Sequence, residues 1–194
     1  MLSHLLALDE TDRRSRFGIA VSDEFVREYT DAIDFRSDAV FGVYDTELAL
    51  LGVAHLAIDE GDAELGISVL PSARGRGLGT ALLDRARLHA RNTRIRRLGM
   101  HCLRENAAMM RLARRQDMHA ITESGETDAW VQVPPPDASS FAAEFLAEQL
   151  GLYDLGLKTQ ALNLRRWLTS WTAQGVVGRQ PDTGKAPALP EITS

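Results

Sequence analysis

The chain has 194 residues and a net charge of −5, with 22 Lys and Arg against 27 Asp and Glu, and is 44% hydrophobic and 25% charged. This is the balance of an ordinary globular protein, and it speaks against one that coats nucleic acid. A single cysteine, Cys102, excludes an internal disulfide and a cysteine-built zinc cage. No run approaches the ~20 apolar residues of a membrane span, and Met1–Asp9 is charged too early for a secretory leader, so the expected location is cytoplasmic with no membrane partner.

In chain order, Leu2–Leu8 reads as a first strand and Asp9–Arg16 as a short charged helix. Ser22 ahead of Phe25, Val26, Tyr29 and Ile33 marks an N-capped amphipathic helix. Ala39–Tyr44 and Leu48–Ile58 read as strands joined by Asp45-Thr46-Glu47, and Glu60-Gly61-Asp62 turns the chain into Ala63–Leu70. Turns this short imply an antiparallel meander and leave no room for a crossover helix of the dinucleotide-binding kind. Pro71 ends the third strand because it has no N–H to give a ladder. Leu78, Leu82 and Ala86 recur at helical spacing and predict a helix to about Arg91.

Ile95–Leu103 then reads as a strand parallel to its predecessor, since a helix intervenes. Glu105-Asn106 opens a helix to about Gln116, and Ala120–Glu123 with Asp128–Val133 forms a hairpin around Ser124-Gly125-Glu126. The fold class is α/β, a mixed α+β sheet with antiparallel strands and one central β-α-β crossover. Pro134-Pro135-Pro136 closes a first domain of residues 1–136. Over 137–173 two helices are expected, one striped by Phe141, Phe145, Leu146 and Leu150. The other carries Leu157, Ala161, Leu164, Leu168 and Trp171 at coiled-coil spacing. They serve either as a brace on their own domain or as a homodimer contact. Residues 174–194, polar and rich in Gly and Pro, read as a flexible tail.

Between the third strand and its helix stands Arg74-Gly75-Arg76-Gly77-Leu78-Gly79-Thr80. Glycines admit a ligand close to the backbone, and a helix starting at Leu78 directs its first unpaired N–H groups at a diphosphate. The NTPase loop requires a lysine that is absent after Gly79. The dinucleotide fingerprint fails too, because Thr80 stands at its third glycine. From Arg74 to Arg115 arginines crowd and acids are scarce, which suits a polyanion. No aromatics are interleaved for base stacking, so a nucleic acid is not the expected partner.

Arg74, Gly77 and Gly79, preceded by Val69-Leu70-Pro71, meet the pattern Arg/Gln-x-x-Gly-x-Gly/Ala. Here the sequence resembles the GNAT N-acetyltransferase superfamily, and the resemblance runs from the first strand to the proline run. It implies acetyl-CoA as cosubstrate, held by Arg74, Gly75, Arg76, Gly77, Leu78, Gly79 and Thr80, with the acyl carbonyl on a backbone N–H of Val69 or Leu70. Asn106 and Leu112 match the family's Asn-x-x-Ala-x-x-Leu-Tyr element, which places Asn106 on the pantetheine arm. The implied reaction is direct attack by a small-molecule or protein amine in a ternary complex, without metal or covalent enzyme intermediate.

An acceptor with a lysine-like pKa near 10.4 costs about 4.6 kcal/mol to deprotonate at pH 7, so a base is required. Strand alternation puts Glu64, Gly66, Ser68 and Leu70 on one face, and Glu64 resembles the strand glutamate that some family members use. His101 lies five residues before Asn106, where some members carry a glutamate base, and an imidazole suits the task. His55 reads as structural, and Phe25, Tyr29 and Phe35 as core or acceptor-pocket wall. Ala113 stands where the family often has a thiolate-protonating tyrosine. Coenzyme A then leaves as a thiolate, another group such as Cys102 assists, or the protein is a catalytically weak acyl-CoA-binding regulatory module.

Overall fold

The computed structural model describes residues 1–123 and 125–177, with side chains through Thr169. Its sheet grows from the meander the short turns demand: β1 (Ala39–Tyr44), β2 (Leu50–Asp59) and β3 (Asp62–Val69) pair antiparallel in succession. Helix α4 (Leu78–Asn92) then crosses to β4 (Arg97–Leu103), which lies parallel to β3. After α5 (Ala107–Arg115) come β5 (His119–Glu123) and β6 (Glu126–Gln132). β6 inserts beside β4, giving the order β1-β2-β3-β4-β6-β5.

Period-two alternation divides the sheet's residues between two cores. Ala63, Leu65 and Ile67 of β3, with Leu98, Met100 and Cys102 of β4, face Leu82, Leu83, Ala86 and Ala90 of α4. The opposite face is covered by α1 (Leu2–Leu6), α2 (Glu10–Phe17) and α3 (Asp23–Asp31), through Leu5, Leu8, Val26 and Val53. Asp9 and Ser22 cap α2 and α3 by accepting from the Asp12 and Phe25 N–H groups.

Expectations change at both ends of the chain. Leu2–Leu8 is helical at Leu2–Leu6, not a strand. Its leucines satisfy either period, and tertiary bonding decides between them. The His4 Nδ1–H donates to the Leu50 carbonyl at 2.8 Å while Nε2 accepts from the Ser68 hydroxyl at 2.9 Å. Burial keeps the His4 pKa below the ordinary imidazole value.

The second change is at the C-terminal end, where one 40-residue helix, α6 (Ala138–Val177), replaces two. Gly151 and Gly156 lower its propensity by about 1 kcal/mol each, but no proline or cap interrupts the turns around them. Asp137 opens the helix by accepting from the Ser140 N–H at 2.8 Å. The Ser139 hydroxyl, that N–H and Arg91 hold its carboxyl down at about 2. Glu144 then binds Arg85, His89 and Asn92 of α4, and Lys158 donates to the Tyr44 carbonyl at 2.8 Å. Of the tail expected over 174–194, the part up to Val177 continues the helix, and residues 178–194 lie outside the described residues.

Candidate functional site

The parallel ladder between β3 and β4 holds only at Asp62↔Arg97, Ala63↔Leu98 and Glu64↔Gly99. Beyond Glu64 the strands part while β3 keeps its pairing with β2 through Val69. Backbone N–H groups alternate sides along a strand. The Leu70 N–H donates to the Leu51 carbonyl at 2.9 Å, on the β2 side. The N–H groups of Ile67 and Val69 therefore turn towards the split. Of the two expected carbonyl donors, Val69 faces the opening and Leu70 is engaged elsewhere. Ile67 is a donor that the motif did not single out, although the same alternation argument reaches it.

A groove of about 890 Å³ runs from this split to the glycine turn, between Ile67–Val69, Arg74–Thr80 and the start of α5. Gly75 and Gly77 have φ of +75° and +79°, and a Cβ on either would meet nothing within 4 Å. Glycine is there for conformation and the turn's outer surface is open. Gly77 also precedes the first turn of α4 without any side-chain cap, so the amides from Leu78 onward have no side-chain acceptor. Gly79 serves packing, lying against Leu112 of α5. The Arg74 guanidinium binds the Val69 carbonyl at 3.2 Å and Asp12 at 2.6 Å, and Arg76 donates to the Ser72 carbonyl.

Helix α2 bridges the split. Asp12 reaches Arg74 on the β3 side, Arg14 reaches Glu105 at 2.6 Å on the β4 side, and Asn106 donates to the Ser15 carbonyl. Asn106 also caps α5 by accepting from the Met109 N–H, so both ends of its amide are bonded. Arg16 lies flat against β3: a Cβ on Gly66 would meet its guanidinium at 2.1 Å. One of its N–H groups donates to the Tyr29 hydroxyl at 2.7 Å, while its buried Nε has no acceptor among the described residues. Tyr29 continues to His55 Nδ1 at 2.6 Å, and His55 Nε2 to Asp38 at 3.0 Å. Tyr29 also packs edge-on with Phe17, whereas Phe35 is exposed.

A second groove, of about 1200 Å³, lies on the same face of the sheet around Glu64 and His101. Its walls carry Asp38, Asp59, Asp62, Glu64, Glu126 and Asp128. Its arginines are engaged, Arg96 on the Glu60 carbonyl at 3.0 Å and Arg97 over the Trp130 ring at 4.8 Å. The structure thus brings Glu64 and His101 together on one face. The His101 Nδ1–H donates to Asp128, its cross-strand neighbour, at 2.7 Å, and Nε2 stands 3.7 Å from Glu126. The Asp128 bond lifts the His101 pKa above the ordinary imidazole value despite partial burial, and the charges of Asp128, Glu126 and Glu64 add to it. Asp128 and Glu126 were missed in the sequence because their relation to His101 depends on which strand of the hairpin docks on β4.

Cys102 is buried in the core beside Met110, with its thiol pKa raised by burial, and Ala113 is buried against the same core. No helix among the described residues is long and apolar enough to cross a membrane.

The sequence model of the Acetyltransferase (GNAT) family matches residues 5–118. No curated protein matches the chain in sequence. Among solved structures, the GNAT domain of S. lividans PAT is 20% identical with a TM-score of 0.57, the alignment covering 68% of this chain and 82% of that one. Spermidine N-acetyltransferase from Vibrio cholerae, in complex with CoA and spermine, is 18% identical with a TM-score of 0.55 over 68% and 89% of the two chains. The ribosomal-protein-S18-alanine N-acetyltransferase from Escherichia coli is 17% identical with a TM-score of 0.52 over 70% and 92%. At these identities the likeness is one of fold.

Proposed function

Because the chain belongs to the acetyltransferase (GNAT) family, we propose that it moves an acetyl group from acetyl-CoA to a primary amine by direct attack in a ternary complex. The cosubstrate supplies the activated acyl group. In this reading the Arg74–Thr80 turn and the amino end of α4 hold its diphosphate, where unpaired N–H groups and the helix dipole favour an anion. Asn106 forms the wall opposite β3. The N–H groups of Val69 and Ile67 point to where charge develops on the carbonyl oxygen.

The observation that carries the reading is the place of Glu64. It stands on the last rung before β3 and β4 part, so one carboxylate borders the acidic groove and lies two residues along the strand from the Arg16–Gly66 contact at the other groove. Glu64 takes the proton of the incoming ammonium, directly or through water. His101 can do the same, because its Nδ1–H bond to Asp128 leaves Nε2 as the basic nitrogen. The carboxylates around them favour a cationic acceptor, one whose remaining charges are positive. Residues 1–136 form the transferase domain in this reading and α6 is an extension of it.

The test is release of free thiol from acetyl-CoA across a panel of mono-, di- and polyamines and lysine peptides. Turnover is expected with polycationic acceptors and should weaken as ionic strength rises. A second reading, an acyl-CoA-binding module with little catalysis, draws on alanine at position 113, which offers no phenol there, and on the burial of Cys102, which withholds its thiol from the departing sulfur. It requires thermal stabilisation by acetyl-CoA with no thiol release for any amine, and that outcome would overturn the first.

A further inference from the structure

We propose that α6 is one half of a two-fold interface between two copies of this chain. A surface helix normally turns its apolar stripe inward and its charges outward. α6 does the reverse. At 100° per residue, the outward half of the helix from Phe141 to Leu164 carries no Asp, Glu, Lys or Arg. The charged residues of that stretch lie on the other half of the helix and are bonded: Glu144 and Glu148 to Arg85, Asp154 to Lys158, and Lys158 to the Tyr44 carbonyl, with Glu144 and Lys158 largely covered and Glu148 and Asp154 exposed along its edges. Facing solvent instead are Phe145, Leu146, Leu150, Tyr153, Leu157 and Leu164, between 51% and 69% exposed.

The size of this face fits a dimer. With Phe141 and Leu152 these residues expose roughly 900 Å², the most a partner could cover here, against about 800 Å² buried per partner in a standard interface. Among the described residues no segment of the chain lies over this face. A lipid surface is disfavoured, since helices that lie on membranes are rich in lysine and arginine on their polar face, whereas from Phe141 to Leu164 that face of α6 carries Glu144, Glu148 and Asp154 against Lys158 alone, which is turned towards Tyr44. A second copy meets none of these objections. An uncharged face related to itself by a two-fold axis near Tyr153 brings no like charges together.

Light scattering of the full chain at tens of micromolar should give about twice the 21.4 kDa chain mass. Leu150→Lys combined with Leu157→Lys should halve that mass, leaving helical circular dichroism and the acetyl-CoA thermal shift as in the parent. Both positions already face water, so the lysines place no charge in a core. A parent that runs as a monomer, with or without sedimenting on phosphatidylcholine vesicles, overturns the proposal. So does a double variant that stays dimeric.

Discussion

Glu64→Gln keeps the shape of the side chain and removes its basicity, so kcat should fall by about 10²–10⁴-fold while the acetyl-CoA thermal shift is retained. Unchanged thiol release would remove Glu64 from the proton path. His101 adds a pH signature. It accepts a proton only when neutral, so kcat/KM should rise with pH through a value above the ordinary 6.5, because the Asp128 carboxylate favours the imidazolium. Asp128→Asn should move that limb to lower pH, and an unmoved limb would mean His101 takes no part. For stability the sign is fixed by the same shift: a raised folded pKa contributes fully below 6.5 and is lost as pH climbs through the folded value. The sequence offered Glu64 and His101 one at a time as candidate bases, and the structure sets them in one groove. Their partners were not legible in the sequence, because Asp128 meets His101 only through the β4–β6 register.

At the level of elements, the glycine turn and the strand split carry separate predictions. Gly77 sits at φ +79°, so Gly77→Val should strain the turn by about 1–3 kcal/mol and abolish the acetyl-CoA thermal shift. A retained shift would place the coenzyme elsewhere. Gly66→Ala puts a Cβ into the Arg16 guanidinium, which is the far end of a flexible side chain. Arg16 should swing away from Tyr29 at little cost in melting temperature, and a crystal structure of the variant would show whether the Tyr29–His55 bond survives. The meander, the crossover and the turn were readable because short loops, proline and glycine act locally. Leu2–Leu8 was not, since a leucine-rich run fits both periods and only the His4 bonds to Leu50 and Ser68 choose the helix. The engagement of the Leu70 N–H likewise depends on its β2 neighbour, which no motif records.

Across the whole molecule, α6 is fixed to the domain by polar bonds that pH can loosen. Glu144 is mostly buried, and although burial opposes its charge, the Asn92, His89 and Arg85 bonds prevail and hold its pKa below the ordinary 4.5. That stability is present above 4.5 and is lost as pH falls through the lowered value. Glu144→Ala should cost about 2–3 kcal/mol at neutral pH, from the loss of charge-assisted bonds, and less below pH 4. Thermal melts at the two pH values check this. The length of α6 escaped the sequence because Gly151 and Gly156 look like breaks but only weaken the helix locally.

The ladder of three residue pairs between β3 and β4 has a dynamic consequence. The sheet is two leaves, β1-β2-β3 and β4-β6-β5, joined along a short spine and strapped at the other end by α2. Breathing about that spine should be the opening that coenzyme binding damps most. In hydrogen exchange, the amides of Ile67 and Val69 should then slow on adding coenzyme A, while those of β1 and β5, at the outer margins, keep their rates.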